Sequence, residues 1–169
     1  GLTNANLPDA QAAYEAQWNM WPCVLAHANL VMHAAGWQEG GLTASFEKFI
    51  IDAENLAMFA HFMGGIEVDQ ESLALDMIAE VGPGGHHLGT SHTIARFRRF
   101  FYQPSVSNRA GFDSWRQAGG EDTRQRANKV WKEMLRGYQR PFLEEAVAEE
   151  LEAFVQRRTA ELEGVNLYD

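Results

Sequence analysis

The chain has 169 residues, of which 46% are hydrophobic, 11% aromatic and 22% charged, enough apolar material for one packed unit and too much for a disordered segment. A single cysteine, Cys23, excludes a disulfide framework, and the apolar runs break well before the ~20 residues that span a bilayer, so a soluble, cytoplasmic protein is expected. The net charge of −9 opposes general nucleic-acid binding but is unevenly spread: residues 1–95 hold one base (Lys48) and eleven acids, residues 96–140 eleven bases and four acids.

Pro8 and Asp9 mark a helix start after Asn6, which reads as a cap, and residues 10–25 are rich in helix formers, with Pro22 expected to kink or end the helix. Asn29-Leu-Val-Met-His33 is short, apolar and bounded by Gly36, so it is expected to be one buried, parallel strand. Residues 34–42, with Gly36, Gly40 and Gly41, read as a loop. From Thr43 or Ser45 to Met63, Phe46, Phe49, Ile50, Ala53, Leu56, Ala57 and Ala60 recur at helical spacing, and Gly64-Gly65 stops the helix. Asp69 caps a third helix carrying Leu73, Ala74, Met77, Ile78 and Val81, which ends at Gly82 and Pro83.

A glycine-rich loop over residues 82–90 leads to a short helix over His92 to Tyr102, where Arg96, Arg98 and Arg99 alternate with Phe97, Phe100 and Phe101. Such alternation imitates a nucleic-acid surface, but helical spacing sends the rings to a core face. Further helices are expected over Phe112 to Gln117, over Asp122 to Tyr138, and over Leu143 to Glu161 with a buried seam of Val147, Leu151, Phe154 and Val155. One strand among six or seven helices has no ladder partner, so a mainly α chain is predicted whose sheet lies outside it.

Several separated segments then match a known pattern in order: Leu7-Pro-Asp-Ala-Gln-Ala-Ala-Tyr-Glu15, Ser45-Phe-Glu-Lys48, Gly65-Ile-Glu-Val-Asp69 with Glu71-Ser-Leu-Ala-Leu-Asp76, and Glu80-Val-Gly-Pro-Gly-Gly-His-His-Leu-Gly-Thr-Ser-His-Thr93. Together with residues 109–115 and Ala127-Asn-Lys-Val-Trp131, they resemble the C-terminal part of the trimethylamine:corrinoid methyltransferase family. The resemblance implies the C-terminal portion of a TIM (β/α)8 barrel with a helical extension. Residues 1–95 would be the end of the barrel and 96–169 the extension, since a whole barrel takes about 250 residues. It implies transfer of a methyl group from a methylated amine to a corrinoid (cobalamin) carried by a separate partner protein, with none bound directly. The absence of pyrrolysine favours the glycine betaine type of member. A homo-oligomer is expected as well.

Barrel enzymes work at the C-terminal ends of their strands, which makes His33, Trp37, Gln38 and Glu39 the expected substrate-binding residues. Trp37 offers a quaternary ammonium an aromatic face and Glu39 a carboxylate, while His33 and Gln38 suit a substrate carboxylate. Asn4 and Asn6 would face the same cavity, and no residue is assigned a catalytic role. His86 and His87, with Arg98 and Arg99, are expected to form a lid or a docking face for the corrinoid protein. The spacing of His86, His87 and His92 matches no zinc signature, so no metal is assigned. Residues 82–85 lack the Gly-Lys-Ser/Thr ending of a phosphate loop. The alternative from another class is a stand-alone helical binding or regulatory module; a third possibility is a catalytically dead member of the family.

Overall fold

The computed structural model describes residues 1–166 and is mainly helical. It divides into two compact units, Gly1–Arg136 and Gly137–Asp169. In the first, helix α1 (Ala10–Leu25) begins under the Asp9 carboxylate, which accepts the Ala12 N–H at 3.2 Å, and runs through Pro22 to end three residues later. Asp9, not Asn6, is therefore the cap. Asn6 instead reaches across to Glu39.

The segment Asn29–His33, expected to be a buried strand, is irregular, and it exposes Leu30 (78%) and Met32 (70%). His27 (φ 51°) and His33 (φ 55°) turn the backbone left-handed on either side of it. Without a neighbour to complete its ladder, an extended segment has nothing to fix it. The sheet among the described residues lies just downstream, inside the stretch expected to be loop: β1 (Trp37–Gln38) pairs antiparallel with β2 (Thr43–Ala44), Trp37 opposite Ala44 and Gln38 opposite Thr43.

Helix α2 (Phe46–Met63) follows, capped by the Ser45 hydroxyl on the Lys48 N–H and closed at Gly64, as its sequence predicts. Trp21 of α1 meets Phe59 and Phe62 of α2 edge-on, with ring centroids 4.7 and 5.6 Å apart. The expected third helix is broken in two, α3 (Gln70–Leu73) and α4 (Leu75–Val81), because Ala74 takes a left-handed conformation (φ 51°). Then come α5 (Ser91–Phe100), α6 (Phe112–Gln117) and α7 (Thr123–Arg136). The core lies where α7 crosses α2: Ile50, Val106 and Ala127 are buried, with Ile51, Val130 and Trp131 packed around them. Phe46 stacks on Trp131 at 5.0 Å.

Two expected buried faces are open. On α5, Phe97 (44%), Phe100 (48%) and the following Phe101 (65%) are exposed, since nothing among the described residues covers that face, and the neighbouring arginines lie near two of the rings: Arg98 is 5.5 Å from the Phe97 centroid and Arg99 5.7 Å from that of Phe100. In the second unit, α8 (Glu145–Glu161) exposes Val147, Leu151, Phe154 and Val155, since a single helix offers them nothing of its own to pack against.

Candidate functional site

The β1–β2 hairpin is held from three sides. Gly36 enters it at φ +85°, a conformation that glycine takes without strain; a Cβ there would also stand 3.2 Å from that of Phe49. Its N–H donates to Asp52 Oδ2 at 2.9 Å, and its carbonyl accepts the Ser45 N–H at 2.9 Å. Beneath it, Lys48 and Asp52 form an ion pair one turn apart on α2, 1% and 2% exposed, and Lys48 Nζ also donates to the Gly1 carbonyl at 2.7 Å. On the remaining side residues 3–5 run alongside the turn, where the Thr3 carbonyl accepts the Gly40 N–H (3.0 Å) and that of Ala5 the Glu39 N–H (3.3 Å). That segment is tied to α1 in turn: Glu15 accepts the Thr3 hydroxyl at 2.5 Å and the Asn4 N–H at 2.8 Å.

The hairpin therefore presents Trp37, Gln38 and Glu39 from a fixed frame. Trp37 lines an apolar cleft of about 470 Å³ whose other walls include Phe46, Phe49, Trp131, Met134 and Leu135. The His33 ring meets Trp37 edge-on at 5.6 Å. Glu39 has a left-handed backbone (φ 51°); its Oε2 accepts the Thr43 hydroxyl at 2.6 Å and its Oε1 the Asn6 Nδ2–H at 2.8 Å. Those two donors, Thr43 foremost, hold its carboxyl below the ordinary glutamate range. Gln38 is enclosed, 2% exposed, and its Nε2 has no partner among the described residues. Aromatic faces and a fixed anion are the chemistry by which proteins recognise an organic cation.

Further carboxylates escaped the sequence reading. Glu54, 4% exposed, accepts the N–H groups of Ser105, Val106 and Ser107 and the hydroxyls of Ser105 and Ser107. Burial pushes its carboxyl up, and these donors outweigh it and bring it below the ordinary value. Glu47 accepts the Asn128 Nδ2–H at 2.6 Å and the Trp131 indole N–H at 2.9 Å. A signal existed: Glu47 and Glu54 stand seven residues apart on the stripe of α2 that carries Ile50, and Lys48 is the sole base of the first 95 residues, with Asp52 four positions on. The barrel reading places Asn6 beside these residues, whereas Thr43 had no such signal, because it meets Glu39 across a turn.

The remaining expected residues lie apart from this cluster. His86 and His87 are exposed in the loop before α5, where the His87 carbonyl accepts the N–H and the hydroxyl of Thr90, the cap of α5. Arg98 and Arg99 are exposed on α5. That helix is tied to α3 by Arg96 pairing with Glu71 and by His92 Nε2 at 2.9 Å from the Glu71 carbonyl oxygen. None of the hydrogen bonds or ring contacts of residues 37–39 reaches these four residues.

Comparison with known proteins covers the same stretch. The family model described as trimethylamine methyltransferase (MTTB) matches residues 1–163. A glycine betaine methyltransferase of Desulfitobacterium hafniense (strain Y51) is 38% identical over 162 residues, 96% of this chain and 34% of that protein. The trimethylamine methyltransferase MttB of D. hafniense (strain DSM 10664 / DCB-2) is 33% identical over 92% of this chain and 31% of its own length. MttB2 of Methanosarcina mazei is 30% identical over the same shares. The chain thus spans about a third of the length of these curated relatives.

Proposed function

The chain belongs to the trimethylamine methyltransferase family, and on that premise we propose that it forms the C-terminal part of an enzyme that moves a methyl group from a quaternary or tertiary methylated amine to a corrinoid on a separate protein. The observation that carries this reading is that one hairpin turn presents Trp37, on an aromatic-lined cleft, and, two residues later and outside the lining of that cleft, the fixed carboxylate of Glu39. An N-methylated cation cannot be held by donating hydrogen bonds when quaternary, and it is held instead by rings and a negative charge. In this reading His33 and Gln38 serve the carboxylate of a betaine.

The corrinoid, on its own protein, would supply the cobalt(I) electron pair that accepts the methyl group from a quaternary or protonated amine, which would leave as the neutral amine. The task of this chain is to bind and orient the amine and to keep water out. Residues 1–95 belong to the end of a barrel and 96–169 to an extension whose helix α7 folds back on α2. The exposed Leu30 and Met32 are surface for the rest of that barrel to cover. His86, His87, Arg98 and Arg99 form a lid or dock the corrinoid protein. The protein works as a cytoplasmic homo-oligomer, a setting in which Cys23 stays reduced.

The test is methylation of cob(I)alamin by the full-length protein with glycine betaine or trimethylamine as donor. Trp37→Ala and Glu39→Gln are expected to raise KM by about 3- to 30-fold, the worth of a cation–π or ionic contact at a partly desolvated site. Unchanged KM in both variants would remove these residues from the amine site; no turnover with either amine would remove the activity.

A further inference from the structure

Glu39 is held in an unusual way for a half-buried turn residue. Left-handed backbone disfavours a glutamate by roughly 1–2 kcal/mol, and glycine or asparagine would relieve it. The site keeps a glutamate there and fixes it by both ends: its N–H donates to the Ala5 carbonyl, and each carboxylate oxygen has its own donor, Asn6 Nδ2 for Oε1 and the Thr43 hydroxyl for Oε2. The donors come from two separate segments, one from the stretch preceding α1 and one from β2 across the turn. Neither is cationic, and Glu39 takes part in none of the ion pairs among the described residues. With one neutral donor on each oxygen, the remaining lone pairs and the full negative charge stay available. A salt bridge would have spent that charge.

We infer that Asn6 and Thr43 are positioning residues for Glu39, locking the orientation of a carboxylate kept free of cationic partners so that it faces the cationic nitrogen of a methylated amine. This rests on the reading that Glu39 contacts the amine. Separate arms of one experiment tell the two apart. In the full-length protein, glycine betaine and trimethylamine binding are measured by titration calorimetry, and KM and kcat are followed from pH 4 to 8, for wild type, Glu39→Gln, Asn6→Ala, Thr43→Val and Thr43→Ser.

Asn6→Ala and Thr43→Val are each expected to weaken binding and raise KM by about 5- to 10-fold, the loss of one hydrogen bond to a charged group, with kcat within about twofold. The acidic limb of kcat/KM moves to higher pH in both, because the carboxyl loses a donor that favours its ionised form. Thr43→Ser restores the wild-type values. Asn6 is exposed, so Asn6→Ala decides the matter should Thr43→Val fail to fold. If Glu39→Gln weakens binding while Asn6→Ala leaves KM and the pH profile unchanged, the positioning role is overturned and the Glu39 reading stands. A serine variant no better than valine also overturns it. If Glu39→Gln itself changes nothing, or wild type binds neither amine, the site reading falls and the inference with it.

Discussion

At Glu47, burial acts to push the carboxyl up, but Asn128 and Trp131 outweigh it and hold it at about 2. The ordinary value is ~4.3. With the folded value the lower of the two, the stabilisation is complete above the ordinary range and drains away as pH falls from there towards 2. Acidification through that window is expected to loosen α7 from α2, seen as broadening and loss of the Trp131 indole N–H resonance. Glu47→Gln should flatten that dependence and cost about 1–2 kcal/mol at neutral pH in urea unfolding. Lys48 and Asp52 differ in kind. Burial pushes the Asp52 carboxyl up, against the opposing pull of Lys48 and the Gly36 N–H, so that pair specifies geometry more than it adds stability.

Among the elements, the break between α3 and α4 has a local cause. The Asp69–Ser72 capping box starts α3, and one turn later Ala74 ends it by sitting in the left-handed region, with no side chain to justify that conformation. Ala74→Gly is expected to stabilise the protein by about 0.5–1 kcal/mol, read as a raised Tm in calorimetry. A polar cap and a glycine stop made α2 legible in the sequence, since it follows Ser45 and Gly64 almost to the residue, and α6 coincides with its expected span without a side-chain cap. Residues 29–33 were not, because a short apolar run reads as strand only if a neighbour supplies the ladder, and composition carries no information about that neighbour. The aromatics of α5 misled in a related way, since periodicity names the apolar face but not what meets it. At the candidate site, Trp37 and Glu39 stood out by residue type and Asn6 by the barrel reading, whereas Thr43 meets Glu39 through a turn that no spacing rule encodes.

For the molecule as a whole, the division of charge noted in the sequence concentrates its bases in residues 96–140 while the hairpin lies in the acidic stretch before them. Arg98 and Arg99 are exposed members of that basic region with rings beneath them, as is Lys132 over Trp131, and such arginines suit protein contacts. Under the docking role proposed for them, reversing both arginines to glutamate is expected to slow methyl transfer to the corrinoid protein about 10-fold or more at low salt and to flatten its ionic-strength dependence, with transfer to free cob(I)alamin unaffected. The carboxylate of Glu54 joins the molecule differently. It gathers residues 105–107 onto α2, and the Val106 carbonyl in turn accepts the Arg126 guanidinium at 2.6 Å. The exposed stretch 108–111 that follows therefore carries none of the tension between the halves it connects. A nick or a short insertion there would leave the α6–α7 piece clasped to the hairpin-bearing piece, making this the natural seam for splitting the protein into two fragments that find each other again.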